Sequence, residues 1–413
     1  MPLPHLARTT PSRPAVALML TLLMGAQPVT TDLYLPALPS LAGALGAEPG
    51  AAQLTLSALI FSFGLAQLLW GPISDRFGRR PVLLAGLSLY VLAALGAALA
   101  PTMAWLIGWR ALQGIGLAAA VTCARSIVRD LYEPHQGARV MSSALGGVGV
   151  VALLAPLIGG GLVHWLEWRA PLAAVAVFGA AALAAVVWRL PETLPVPDPR
   201  GTELRRIAAN WRRILRHPTF IAWTALLCAT WGGLFTMLAA SSFVFIELLG
   251  VGRPAYGAIL AGCSLSYIVG TFVCRRLLAR RSPSRAVAIG ALFSLGGGAL
   301  LAGMALAGQH SVAAFLPGLL LYTAGHGIIL PCGQAGVTSP FPDNAGTAAS
   351  LSGFAMMATA FGIGLWLAAA TIGSVYALAL TMGAFGTGVA AVAWTLVRRH
   401  GERVALAPGA RLA

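Results

Sequence analysis

The sequence predicts an all-α membrane protein, with twelve transmembrane helices in two related halves of six. Three observations carry that expectation. Of 413 residues, 58% are hydrophobic and only 9% charged, against roughly 25% charged in an ordinary soluble domain, so a water-facing surface is out of reach. A helix that crosses the hydrocarbon core needs about 20 predominantly apolar residues, and apolar runs of that length fall near 15–38, 52–71, 82–100, 102–124, 140–163, 169–189, 219–247, 256–276, 286–307, 311–336, 347–370 and 373–397. The gaps between runs alternate between arginine-rich and nearly arginine-free, as the positive-inside rule requires of a chain that crosses repeatedly.

The net charge is +15, and every one of the 27 basic residues is arginine. One set of gaps, with both termini, holds Arg8 and Arg13, Arg76, Arg79 and Arg80, Arg125, Arg129 and Arg139, Arg189, Arg200, Arg205, Arg206, Arg212, Arg213 and Arg216, Arg275, Arg276, Arg280, Arg281 and Arg285, and Arg398, Arg399, Arg403 and Arg411. The other set holds only Arg169 and Arg253. Both termini are therefore expected in the cytoplasm, and the charge reads as topology rather than as a nucleic-acid surface. Arg110 belongs to neither side and is left inside a run. The absence of lysine disfavours a phosphate-binding P-loop and Schiff-base chemistry.

The first run contains Asp32 and lacks a small-residue cleavage site, so it reads as a retained helix and not a removable signal. The expected layout is a cytoplasmic N-terminus at 1–14, a six-helix bundle at 15–189, a cytoplasmic linker at 190–218, a second bundle at 219–397 and a cytoplasmic tail at 398–413. The linker opens with PETLPVPDPRG. Its Leu204, Ile207, Ala208, Trp211, Ile214 and Leu215 recur at helical spacing opposite arginines, which predicts an amphipathic helix in the inner-leaflet interface. Five separate cysteines without C-x-x-C spacing read as small packing residues.

Between spans two and three stands GPISDRFGRRP. Gly71 and Gly78 permit a tight turn and close helix approach, Pro72 is expected to end the helix, and Asp75 can accept from an arginine or a helix N-terminus. Arg76, Arg79 and Arg80 complete the run. A degraded copy lies between spans eight and nine, with Gly270 at the place of Gly71, Arg275 at that of Arg76 and Cys274 at that of Asp75. Duplicated halves place a substrate path between them, near the midplane.

The run closely resembles the signature loop of the major facilitator superfamily. RALQGIG, from Arg110 to Gly116, is similar to the span-four motif whose buried arginine is linked to proton coupling in that family. GVGVVALLAPLIGG, from Gly147 to Gly160, resembles the span-five antiporter motif, with Pro156, Gly159 and Gly160 in register and Ala155 where many members have glycine. TDLYLPALP looks like the span-one signature of drug:proton antiporters. With GHGIILPCGQAG and FPDNAGTAASLSG it points to the bicyclomycin and chloramphenicol resistance branch (Bcr/CflA). The resemblance implies the major facilitator fold, a cytoplasmic gating loop formed by Gly71, Asp75, Arg76, Gly78, Arg79 and Arg80, and proton-coupled export through the inner membrane.

Asp32 and Arg110 stand out physically as well, since a charge within a bilayer is functional by default. Counting 1.5 Å per residue from the outer ends of spans one and four puts them at similar depth. The expectation is that Asp32 takes up and releases a proton while Arg110 biases its affinity and hydration. Gln27, Thr30 and Tyr34, at 3–4 spacing on one face of span one, are candidate cavity residues, as are Gln113, Trp231, His326 and Gln334. A hydrophobic cavity with a few polar groups suits small lipophilic compounds. Pro28, Pro36, Pro156, Pro317 and Pro331 are candidate kink sites. The expected function is a drug:proton antiporter working by alternating access; the alternative is an exporter of a metabolite such as a sugar, amino acid or siderophore. Its expected partners are a small-molecule substrate, protons and the lipid bilayer, with no nucleic acid, no cofactor, no metal and no catalytic residue, and it is expected to be a monomer.

Overall fold

A computed structural model describes residues 13–194, 196–199, 202–370 and 374–401, with all their side chains except those of 49, 134, 135, 138 and 343. Arg8, Arg200, Arg403 and Arg411 lie outside the described residues. Helices form wherever the apolar runs were found, because in hydrocarbon the backbone must satisfy its own N–H and C=O groups. Twelve helices among the described residues are long and apolar enough to cross a membrane.

The first half comprises α1 (Arg13–Asp32) with its short continuation α2 (Leu38–Ala44), α3 (Pro49–Phe77), α4 (Arg79–Ala98), α5 (Met103–Leu131), α6 (Pro134–Trp165) and α7 (Arg169–Arg189). The connection carries α8 (Leu204–Leu215). The second half comprises α9 (Pro218–Ser242), α10 (Arg253–Leu278), α11 (Pro283–Leu306), α12 (Val312–Thr338), α13 (Ala345–Ala370) and α14 (Tyr376–Val392). The first and last helices of the second half are extended by π-type turns, Phe243–Leu248 after α9 and Ala393–Val397 after α14.

The packing repeats between halves. In the first, α3 and α4 pack on α5, α4 on α7, and α1 on α5, α6 and α7; in the second, α10 and α11 pack on α12, α11 on α14, and α9 on α12, α13 and α14. Replacing spans one to six by seven to twelve turns one set into the other. The two main contacts between halves, α3 with α13 and α6 with α10, are themselves exchanged by the same operation. The sequence likeness of the two turns is thus matched by a two-fold repetition of packing.

The exterior fits a lipid surroundings. Leu18, Leu92, Val177, Leu265, Phe272 and Leu292 are exposed along the helices, a continuous apolar surface that water would not tolerate. Trp105, Trp165, Trp188, Trp366 and Trp394 are exposed near helix ends, where indole rings favour the membrane interface.

Two expectations are corrected. Pro72 does not end the second span: α3 continues through it to Phe77. Proline removes one N–H, but α3 is held along its length by α5 and α13, and one lost bond does not outweigh that packing. The turn into α4 is the single residue Gly78. The linker helix α8 forms where expected, yet its apolar stripe is divided. Ile214 is fully buried, while Leu204 and Leu215 remain exposed, and α8 rests on α9 and α13. Ile207, Asn210 and Trp211 line a cavity of about 410 Å³ at the arginine-rich end, together with Gln67, Asp75, Arg125 and Ser350. The helix therefore covers a cavity mouth.

Candidate functional site

The turn at Gly78 is built as a clamp. Gly78 has φ +100°, a conformation that side chains rarely adopt, and a Cβ there would meet the Glu192 carboxylate. That carboxylate caps the start of α4: Oε1 accepts from the backbone N–H of Arg79 (2.9 Å) and Oε2 from that of Arg80 (3.1 Å). The N–H groups of Thr193 and Leu194 also reach Oε1. The buried Arg79 guanidinium binds Asp75 at 2.6 Å, Asp130 at 2.8 Å and the Ser74 hydroxyl at 2.7 Å, tying the turn to the end of α5. Arg80 reaches the Val187 carbonyl and Arg76 the Thr202 hydroxyl. The linker is strapped on by Asp198 N–H to the Asp75 carbonyl (2.9 Å). Gly71 and Asp75 face the cavity under α8.

At the opposite end α1 stops at Asp32 because residue 36 is proline and offers no N–H to the Asp32 carbonyl. Helix ends leave carbonyls without partners, and Arg110, fully buried on α5, takes one: its Nη2 donates to the Thr30 carbonyl at 3.2 Å. Its Nη1 donates to Gln113 Oε1 at 2.7 Å, and its guanidinium lies 4.3 Å from the centre of the Tyr34 ring, a cation–π contact. Thr30 and Tyr34 point into the first half, bonded to Tyr90 (2.6 Å) and Thr55 (2.8 Å). Asp32 is only partly buried. Its Oδ1 accepts from the neighbouring Thr31 hydroxyl at 2.7 Å, and among the described residues it forms no ion pair with Arg110. The same Thr31 hydroxyl stands 3.1 Å from the Gln27 carbonyl. Having one proton, it serves one acceptor at a time.

Glycines of α6 and α10 allow close approach beside this end, both within the first half and across to the second. A Cβ at Gly159 would strike the Leu33 carbonyl, one at Gly160 would lie 2.6 Å from the Arg253 carbonyl, and one at Gly257 would lie 2.5 Å from the Pro156 carbonyl. Gly147, further along α6, abuts Thr21 of α1. Bare backbone thus seats α6 between the chain that follows Asp32 and the start of α10.

In the second half, three rings meet near the middles of their helices. His326 of α12 lies 5.9 Å from Trp231 of α9 and 5.8 Å from Tyr267 of α10, between ring centroids. His326 is 1% exposed, and its Nδ1 is 3.0 Å from the Thr230 hydroxyl. Gly325 and Gly327 on either side abut Ser294 and the Tyr267 carbonyl, which lets α12 approach both neighbours. Gln334 is exposed two turns further along α12.

A family model described as Major Facilitator Superfamily matches residues 20–365. The chain belongs to that superfamily. It is 31% identical to the Multidrug resistance protein D of Escherichia coli (strain K12) over 341 residues, covering 81% of this chain and 84% of that one. It is 30% identical to a Chloramphenicol resistance protein of Pseudomonas aeruginosa over 322 residues, covering 76% and 74%. A peptide transporter POT structure in complex with sulfate shares the fold at a TM-score of 0.75 and 16% identity, covering 94% of this chain and 95% of that one.

As a major facilitator the chain is a transporter and not an enzyme, and the structure sorts its candidate residues into groups. Arg110, Gln113, Thr30 and Tyr34 form one buried knot, with Asp32 at its edge. Trp231 and His326 stand together in the other half. Gln27 is half-buried on α1 and Gln334 belongs to neither group. Sequence reasoning missed Glu192 and Asp130, the acids that complete the Gly78 clamp. The PET run announced an acid after span six, but nothing in it announced that its partner is the start of span three. Tyr90, Thr55, Thr230 and Tyr267 were missed for the same reason, since each is polar only in one atom and ordinary in its helix.

Proposed function

We propose that this major facilitator is a proton-coupled antiporter that exports small lipophilic drugs across the inner membrane, with its arginine-rich end and both termini in the cytoplasm. The observation that carries the reading is the end of α1. A buried arginine holds the last turn by its carbonyl, and the adjoining aspartate has no ion-pair partner among the described residues, beside the contact between halves. An acid held in this way is free to change its charge, because no salt bridge fixes it. The Thr31 hydroxyl follows that change: it donates to Asp32 when the carboxylate is ionised and returns to the Gln27 carbonyl when Asp32 carries the proton. Gain of the proton removes the cost of a charge at the tight α6 contact, so the state of Asp32 biases the packing of Leu33 against Gly159. Alternating access then follows from one six-helix half rocking against the other. Drug as substrate is supported by the multidrug and chloramphenicol resistance relatives.

Proteoliposomes with an imposed pH gradient and chloramphenicol as the first compound test this. Wild type is expected to move the compound against its gradient and to release protons on its addition. Asp32→Asn is expected to lose both responses to the gradient. Drug movement by Asp32→Asn that still follows a pH step would refute the assignment.

A further inference from the structure

Among the buried polar atoms that have no hydrogen-bond partner among the described residues are Arg110 Nε, Gln113 Nε2, Trp231 Nε1 and His326 Nε2. The first three are donors by their chemistry. The fourth is a donor by its surroundings. The Thr230 hydroxyl is buried and lies 3.0 Å from His326 Nδ1. A hydroxyl proton left without an acceptor in a low-dielectric interior is costly, so Thr230 donates to Nδ1, which puts the imidazole proton on Nε2. Two of these donors, on Trp231 and His326, belong to one aromatic cluster closed by Tyr267.

Such a cluster of rings would ordinarily suit a cation. The donors argue otherwise, since unpartnered N–H dipoles beside the rings repel positive charge. No carboxylate stands ready to hold a cation there: every acid among the described residues, Asp32 at the end of α1 included, lies within three residues of a helix end or in a connection.

We propose, resting on the export reading above, that Trp231, His326 and Tyr267 form a subsite for a neutral or acidic aromatic group bearing hydrogen-bond acceptors, such as a nitro, carbonyl or sulfonyl group, and that lipophilic cations are poor substrates. The rings take the π face of the compound, and the Trp231 and His326 N–H groups take its acceptor. Thr230 acts through His326 as a positioning residue, by holding the tautomer.

Binding to the purified full-length chain, read as ligand-induced thermal stabilisation without any gradient, tests the subsite. The probes are 4-nitrotoluene, p-xylene, in which a methyl group replaces the nitro group and no acceptor is left, and tetraphenylphosphonium. Wild type is expected to bind the nitro compound about tenfold more tightly than p-xylene, the effect of one or two neutral hydrogen bonds. Trp231→Phe, which keeps a ring and removes the N–H, and Thr230→Val, which keeps the shape and releases the tautomer, are each expected to reduce that ratio to about threefold or less. Equal binding of 4-nitrotoluene and p-xylene by wild type would overturn the subsite, as would tighter binding of tetraphenylphosphonium. A ratio unchanged in both variants would overturn it too. Loss of gradient-driven transport with the binding ratio intact would sink the antiport reading alone; gradient-driven transport without the ratio would sink the subsite alone.

Discussion

Arg110 and Glu192 illustrate how little a residue's type says about its work until its partner is known. Both satisfy helix ends. Arg110 supplies donors to a terminal carbonyl of α1, and Glu192 supplies acceptors to the first N–H groups of α4. Glu192→Ala is expected to lower stability by on the order of 2 kcal/mol, the range for hydrogen bonds to a charged group, seen as a drop of several degrees in the apparent Tm of detergent-purified protein. An unchanged midpoint would mean that the cap is replaced by water. Gly159→Leu places a side chain where the Leu33 carbonyl already stands. Overpacking of this kind costs about 1–3 kcal/mol, and transport is expected to fall with it; a variant with normal export would show that this contact opens without difficulty. Arg110 was legible in the sequence as the one arginine outside both sets of gaps. Its acceptor was not, because a backbone carbonyl at a helix end has no signature in a list of side chains.

Among the elements, α8 departs furthest from its sequence pattern. The apolar positions of a basic amphipathic helix satisfy lipid and protein equally, and periodicity cannot distinguish them. Ile214 went to protein and Leu204 and Leu215 did not, since the tether from Asp198 to the α3 turn draws the helix across the mouth of the cavity. Ile214→Asp is therefore expected to release α8 and to speed tryptic cleavage at Arg205–Arg216 about tenfold in detergent, where no bilayer protects it. Equal cleavage of wild type and variant would return α8 to the lipid interface. The end of α3 was misjudged for a related reason. Proline at 72 is a local signal to stop, and contacts with two other helices overrode it.

For the whole molecule, the alternation of arginine makes a directional prediction. A fluorescent protein that matures only in the cytoplasm, fused after Ala413, is expected to be bright in cells. A cysteine at Gln309, in the connection between α11 and α12, is expected to react with an impermeant maleimide from outside. The reverse pattern would invert the proposed direction of transport. The number of spans and most of their ends were readable within a few residues because each depends on a local run of apolar side chains, while α3, α5 and α6 run six or seven residues beyond their apolar runs. The symmetric packing of the two halves was readable only in outline, from one turn and its degraded copy. Which helices carry the contact between halves depended on small residues in α3, α6, α10 and α13, and glycine and alanine are too common in this chain to mark them.

The sequence by itself determined the class of protein, its twelve spans, the side on which its arginines gather and the isolation of Asp32 and Arg110 within them. All of these follow from hydrophobicity and charge, which act position by position against a solvent that changes only with depth. The tertiary structure alone decided that Arg110 holds a carbonyl instead of Asp32, that Glu192 closes the Gly78 turn, and that Trp231, His326 and Tyr267 meet with two ring nitrogens unpartnered among the described residues. Those depend on which atoms come within about 3 Å of one another across helices far apart in the chain, and hydrogen bonds are decided at that range.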